Sequence, residues 1–273
     1  MRHPAVAGRF YPQDPDDLEE CIEWCFSHEL GPGIPRGCSG ERNIASVVVP
    51  HAGYVCSGMV AAHAFKELSE DGHPDAYVII GPDHHGVCPG SILCSEGYAT
   101  PLGICPTHTE ICRRLSCMIM DEPRAHTYEH SVEVEVPFIQ YIDPDAHIVP
   151  ILMGDQSIGS AERLAECLRR ACDGFDVVVV ASTDLSHYIP RDLASHLDGL
   201  VLDRICSLDV PGMYRTVRDN RVSMCGYGPT AVAMMISERC EASVRCHSDS
   251  FDSLGMDPDS VVDYASVTFT KRP

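Results

Sequence analysis

Four stretches of the chain are continuously apolar and end in turn-forming or polar residues: 45–50 (ASVVVP), 76–81 (AYVIIG), 147–154 (HIVPILMG) and 176–182 (DVVVVAS). Unbroken apolar runs of this length predict strands covered on both faces, since a half-exposed strand would alternate. Segments with helical spacing of apolar residues lie before, between and after them, at 16–28, 58–68, 107–118, 157–171, 192–207 and 228–238. Strands alternating with helices predict an α/β fold: a single domain over 1–273, with a central, largely parallel sheet flanked by helices. The segments 242–250 and 260–270 alternate polar and apolar positions and predict strands at a sheet edge. Segment 129–141 fits two periods, because Val132, Val134 and Val136 alternate while Val132, Val136 and Ile139 suit one helix face; the reading favours helix. The Gly/Pro-rich stretch 30–41 is too short to separate two domains.

Composition narrows the class without changing the fold. The chain has 273 residues, 44% hydrophobic and 22% charged, within the roughly 250–300 residues that one core can serve. No run approaches the roughly 18 apolar residues of a membrane span. The opening MRHPAVAGRFYPQDP lacks the apolar centre of a signal peptide, so a cytoplasmic location is expected. Forty acidic against twenty basic residues give a net charge of −20, a field that repels phosphate backbones and anionic lipid. Neither nucleic acid nor membrane is an expected partner. Lys66 and Lys271 are the only lysines.

The fifteen cysteines suggest neither a disulfide frame nor a metal knuckle. Export is not expected, the chain is long enough to supply its own core, and no CxxC pair occurs. Fourteen are expected to pack as small reduced hydrophobes. Cys225 stands apart in a Cys-Gly-Tyr-Gly-Pro turn before a predicted helix, where backbone N–H groups and the helix dipole are expected to lower a thiol pKa.

Candidate chemistry clusters just past the predicted strands: Pro50-His51-Ala52-Gly53-Tyr54, Gly81-Pro82-Asp83-His84-His85-Gly86 and Ser182-Thr183-Asp184-Leu185-Ser186-His187-Tyr188. Ligand crevices of open α/β sheets lie beyond the carboxyl ends of the strands, so these segments should converge, with the Cys225 turn as a fourth contributor. Convergence would bring together His51, His84, His187, Asp83 and Asp184. His85 is expected to point away, and Asp83 equally suits a turn cap. Asp184 and His187, three apart, would lie side by side on a helical turn as an acid/base couple or an orienting pair. Glu129 and His130 either cap a helix start or reach the cleft. Two imidazoles and a thiolate suit copper or zinc; two imidazoles, a carboxylate and open positions suit ferrous iron.

The motifs AVAGRFYP, VVPHAGYVCSG, IIGPDHHG, EHSVEVEVPF, STDLSHY, MCGYGP and VVDYASVTF, in this order and over essentially the whole chain, resemble the Memo family, in the form found in archaea and bacteria. The resemblance implies an α/β fold similar to class III extradiol dioxygenases of the LigB type, whose non-haem iron sits at the corresponding strand ends. It further implies metal ligands at His51, His84 and Cys225, with Asp184 and His187 lining the pocket as the catalytic pair. Animal members are described as copper- or iron-binding redox proteins and as phosphotyrosine-peptide adaptors. Ring-cleaving dioxygenases hold iron by two His and a Glu, whereas here a Cys replaces that carboxylate, which argues against ring cleavage.

The expected function is therefore a metal-binding protein of oxidoreductase type using copper or iron, with zinc a further option. The alternative is a non-enzymatic module that holds a peptide or small ligand in the same cleft. A hydrolase using zinc-bound water ranks last, because no hydrolase spacing such as HExxH occurs.

Overall fold

The computed structural model describes residues 1–38 and 42–272. Eleven strands are present among them: β1 (Ile44–Val49), β2 (Ala76–Pro82), β3 (Ser91–Leu93), β4 (Tyr98–Thr100), β5 (Gly103–Cys105), β6 (Met120–Asp121), β7 (Ile148–Met153), β8 (Val177–Ser182), β9 (His187–Ile189), β10 (Cys240–Asp249) and β11 (Val261–Lys271). The α-helices are α1 (Pro15–Ser27), α2 (Met59–Asp71), α3 (Thr109–Leu115), α4 (Glu135–Ile142), α5 (Ile158–Ala171), α6 (Arg191–Cys206), α7 (Val210–Asn220), α8 (Tyr227–Ile236) and α9 (Ser250–Leu254).

The main sheet runs β10-β11-β1-β8-β2-β7-β3-β6, with β9 paired to β11, and β4 and β5 form a separate hairpin. The four apolar runs form its centre, β1-β8-β2-β7, and all pair in parallel. The flanks differ from a largely parallel sheet: β11 is antiparallel to β1, β10 to β11, β9 to β11 and β3 to β7. The sheet is mixed. Of the two alternating C-terminal segments only β10 is an edge strand. β11 lies between β10 and β1, and its residues from Asp263 to Phe269 are all buried.

Each central strand serves two cores, because successive side chains leave opposite faces of the sheet. Val47, Val49, Ile79, Val178 and Val180 pack with α1, α2 and α4 through Leu18, Ile22, Phe26, Phe65, Phe138 and Ile139. Val48, Val78, Ile80, Val179 and Ala181 pack on the other side with Leu164, Leu168, Val201, Ile205, Met213 and Val232, from α5 to α8. Helix starts carry local signals: Asp14 caps α1 by accepting from Asp16 N and Asp17 N, with Pro15 in the first turn, and Ser157 caps α5.

The helix after β1 crosses on one face and the helix after β7 on the other. The carboxyl ends of β1, β8 and β2 lie side by side, the place where open α/β sheets bind ligands. Segment 129–141 divides: 131–134 is a turn, and α4 begins only at Glu135.

Candidate metal centre

Three adjacent strands deliver their following residues to one place. His51 follows β1, Asp184 follows β8 and His84 follows β2, while the turn before α8 brings in Cys225. One donor atom from each of His51, His84 and Cys225 lies within 4.8 Å of the others. Cys225 Sγ is 3.2 Å from His51 Nε2. That span is close to the roughly 4 Å that two metal bonds of about 2.0–2.3 Å can bridge.

His51 forms the floor and is 1% exposed. Burial, followed by the neighbouring His130 and His84 rings, holds its pKa well below the ordinary value, so the imidazole is neutral, the form that ligates. Its backbone N–H donates to Asp184 Oδ1 at 2.9 Å, and its Nδ1 lies 2.6 Å from Ser182 Oγ. Ser182 is the last residue of β8 and continues the buried column Val178, Val180; His51 continues the column Val47, Val49.

His84 is oriented by Glu129, which takes Nδ1 at 2.9 Å on Oε1 and the His84 backbone N–H at 2.7 Å on Oε2. Oε1 also accepts from the backbone of His130 and Ser131. Burial opposes a charged His84 ring, but the hydrogen bond and charge of Glu129 outweigh it and raise the pKa. Burial likewise opposes ionisation of Glu129, and the His84 bond reverses that, leaving its pKa lowered. Such a carboxylate–imidazole pair fixes a ring for metal binding. His130 stacks on His84 with centroids 4.6 Å apart and meets His51 edge-on at 5.4 Å. Burial lowers its pKa to about 4 against the pull of Glu129. His84, Glu129 and His130 also bring donor atoms within 4.8 Å of one another, and Phe10 closes this side with its ring 4.8 Å from His130.

Cys225 departs from expectation. Its pKa is raised, first by burial and then by the Asp184 carboxylate, so the helix terminus does not make it a free thiolate. One donor approaches the sulfur, the Asp184 N–H at 3.1 Å; Thr183 Oγ1 lies 3.7 Å away and gives its proton to the Asp184 carbonyl. A cation beside it would supply the charge that the acidic surroundings withhold. Gly226 is required for a reason the sequence left open. A Cβ there would run into the Ser182 carbonyl and the Thr183 side chain, so it is the protein's own backbone that approaches.

Asp184 and His187 do not share a helical turn, since residues 183–186 are irregular and His187 opens β9. Asp184 is buried under the His51 backbone, with a pKa raised by burial against the hydrogen bonds from His51 and Ala52. His187 is half-buried at the rim, its Nδ1 3.1 Å from Ser223 O and its N–H on Ser223 Oγ. Asp83 caps its own turn through His85 N and Cys88 N, and His85 is exposed against Tyr128 O. Cys56 lies half-buried in the turn before α2. All fifteen cysteines are free; Cys38 and Cys117 are exposed and do not pack.

Each side wall is tied down from behind. The His130 wall is held by Arg2, which donates to His126 O and Glu129 O and pairs with the buried Glu133. Glu133 in turn accepts from Ala5 N, Val6 N and Tyr11 Oη. The Asp184–His187 wall is held by Asp263, whose carbonyl accepts from Leu185 N and whose N–H donates to Ser186 O. Asp198 adds two bonds to Ser186, accepting its N–H and its hydroxyl, and Asp263 faces Asp198 and His247 Nε2.

A profile of the family described as Memo-like protein matches residues 2–268. The chain is similar to the MEMO1 family protein MK0963 of Methanopyrus kandleri, 42% identical over 99% of both chains. It is also similar to the MEMO1 family protein MTH_45 of Methanothermobacter thermautotrophicus, 43% identical over 98% of this chain and 100% of that one. Among solved structures, the uncharacterized protein JW3007 from Escherichia coli K12 superposes with a TM-score of 0.53 at 13% identity. The match covers 82% of this chain and 99% of that one, and it speaks for the fold alone. No helix among the described residues is long and apolar enough to cross a membrane.

Proposed function

The chain belongs to the Memo-like family, and we propose that it is a metal-binding protein of redox type, with His51, His84 and Cys225 as the ligands. One observation supports this above others: two strand ends and one turn, far apart in sequence, bring two imidazoles and a thiol within 4.8 Å of one another. The donor set fits a first-row transition ion. The sulfur favours copper, iron is the second option, and zinc would suit the same ligands without redox chemistry. When bound, such an ion would accept and release single electrons or polarise a coordinated group.

The protein's own residues supply the rest. His51 is kept neutral by burial, and His84 is aimed by Glu129. Asp184, buried beside Cys225, accepts the His51 backbone N–H and so orients the cleft floor, and half-exposed His187 stands at the rim, held by Ser223. His130 offers a further neutral imidazole facing both ligand rings. The test is anaerobic purification followed by elemental analysis. Wild type should retain close to one copper or iron per chain, and a His51→Ala/His84→Ala variant almost none. Equal retention by the two proteins would remove the proposal.

A further inference from the structure

Ser182 Oγ has three polar neighbours: His51 Nδ1 at 2.6 Å, the Ser131 carbonyl oxygen at 2.7 Å and Glu135 Oε1 at 2.8 Å. A hydroxyl has one proton to give and two lone pairs to receive with. The Ser131 carbonyl can only accept, so it takes the single Ser182 proton. Any other choice leaves two acceptor oxygens facing each other at 2.7 Å in a buried site. Both remaining neighbours must then donate to Ser182 Oγ. For His51 this places the ring proton on Nδ1 and leaves Nε2, the atom 3.2 Å from Cys225 Sγ, with its lone pair free. For Glu135 it places a proton on the carboxyl group.

We propose that Glu135 is a buried, uncharged carboxylic acid which, through Ser182, fixes the tautomer of His51 and so aims its Nε2 lone pair into the cleft. Glu135 is a positioning residue; it does not touch the ion.

Independent features of the same group agree. Glu135 is 0% exposed, and Oε2 has no hydrogen-bond partner, a situation tolerable for the carbonyl oxygen of a neutral acid and costly for a carboxylate. No cation pairs with it among the described residues, and burial raises its pKa well above the ordinary value, with Asp184 adding to the effect and the Ser182 bond opposing it. Gly81 lets the Ser131 end of the relay seat, since a Cβ there would run into the Ser131 side chain. The relay thus joins the ends of β1, β2 and β8 to the first turn of α4.

The ligand role of His51 rests on the metal-binding reading, but the tautomer does not, so the two are measured separately. In metal-free protein labelled with 15N-histidine, two-bond nitrogen–proton correlations should report His51 as the Nδ1–H form, assigned by the signals missing from His51→Gln. Infrared spectra near neutral pH should contain the carbonyl stretch of a protonated carboxyl that Glu135→Gln removes. Because the Gln amide can still donate to Ser182 Oγ, Glu135→Gln should keep the Nδ1–H form. Ser182→Ala should mix the two tautomers and weaken binding of copper or ferrous ion by about 10–100-fold, the usual effect of losing a partner that orients a ligand. The proposal is overturned by an Nε2–H ring in the wild type, by no infrared difference between wild type and Glu135→Gln, or by Glu135→Gln mixing tautomers as Ser182→Ala does. If the tautomer results hold and no ion binds, the metal-binding reading falls and the relay stands.

Discussion

The two walls of the cleft are built on buried acids but differ in the cation that answers them. Behind His130, Glu133 is paired with Arg2, whose guanidinium keeps its charge throughout the range in which proteins stay folded. Behind Asp184 and His187, two carboxylates, Asp198 and Asp263, face each other with one imidazole, His247, as their partner; Asp249, the next acid on β10, is taken up by Arg191. Two buried acids against one cation are balanced only if they share a proton. One wall is therefore fixed by permanent charge and the other by a proton, so the wall carrying His187 is the one that pH can loosen.

The largest break in this contrast should come from Arg2→Ala. Removing the cation strands Glu133 in the core and unties Glu129 and His126 at once. A loss of about 3–5 kcal/mol in urea unfolding is expected, nearly independent of pH near neutrality. A loss under about 1 kcal/mol would show that the first wall does not depend on its ion pair.

The opposite wall should respond to pH. Burial, then the hydrogen bond and charge of Asp263, raise the Asp198 pKa to about 8, whereas the unfolded carboxyl titrates near about 3.9. Between those values the folded chain binds a proton that the unfolded chain has released, so stability falls as pH rises. The slope is at most about 1.4 kcal/mol per pH unit and vanishes above pH 8. His247 acts in the same direction: burial lowers its pKa, but the Asp263 bond and charge prevail and raise it, so its contribution is lost as pH rises through the folded value. Asp198→Asn should flatten the profile between pH 5 and about 8; an unchanged slope would mean that the pair does not share a proton.

Gly226→Ala tests the seam between this wall and the Cys225 turn. The added methyl meets the Ser182 carbonyl, which cannot yield as a flexible side chain would, and a cost of about 1–3 kcal/mol is expected, with weaker metal retention from the displaced sulfur. Full retention at unchanged stability would contradict the close approach. The smallest effect belongs to Tyr188, 73% exposed and in the left-handed region at φ 58°. Tyr188→Gly should raise the unfolding midpoint slightly or leave it unchanged, relieving about 1 kcal/mol of strain and offsetting part of it by chain entropy. A clear loss would mean that the exposed ring makes a stabilising contact.

The centre of the fold was legible because its signal is local. Unbroken runs such as VVVV at 177–180 admit one reading, and strand ends tell where their loops must gather. His51, His84 and Cys225 could be grouped on that basis. Flank direction was not legible, because β11 reads as an ordinary alternating strand whether it lies at an edge or between β10 and β1. Electrostatics ran against the local pattern at Cys225, where a helix start suggests a lowered pKa and burial beside Asp184 decides the opposite. Helix α7 and the short strands β3 to β6 were not legible either, the strands being two or three residues each and too short for any period. Ser182 and Glu135 carry no local signal, because a serine closing an apolar run and a glutamate in a helix start look unremarkable alone. Their role appears only when β8 and α4 meet.

That each central strand feeds two cores also sets how the gene can change length. Deleting one codon within β1 would turn Val47 and Val49 to the side of α5 and α8, and would swing His51 away from Ser182. The same deletion in the turn between β4 and β5, or beyond β10, shifts no strand across the sheet. Length variation compatible with the cleft is thereby confined to segments that do not lead into His51, His84 or Ser182, and a scan of single-codon deletions should trace the outline of the site without any substitution at all.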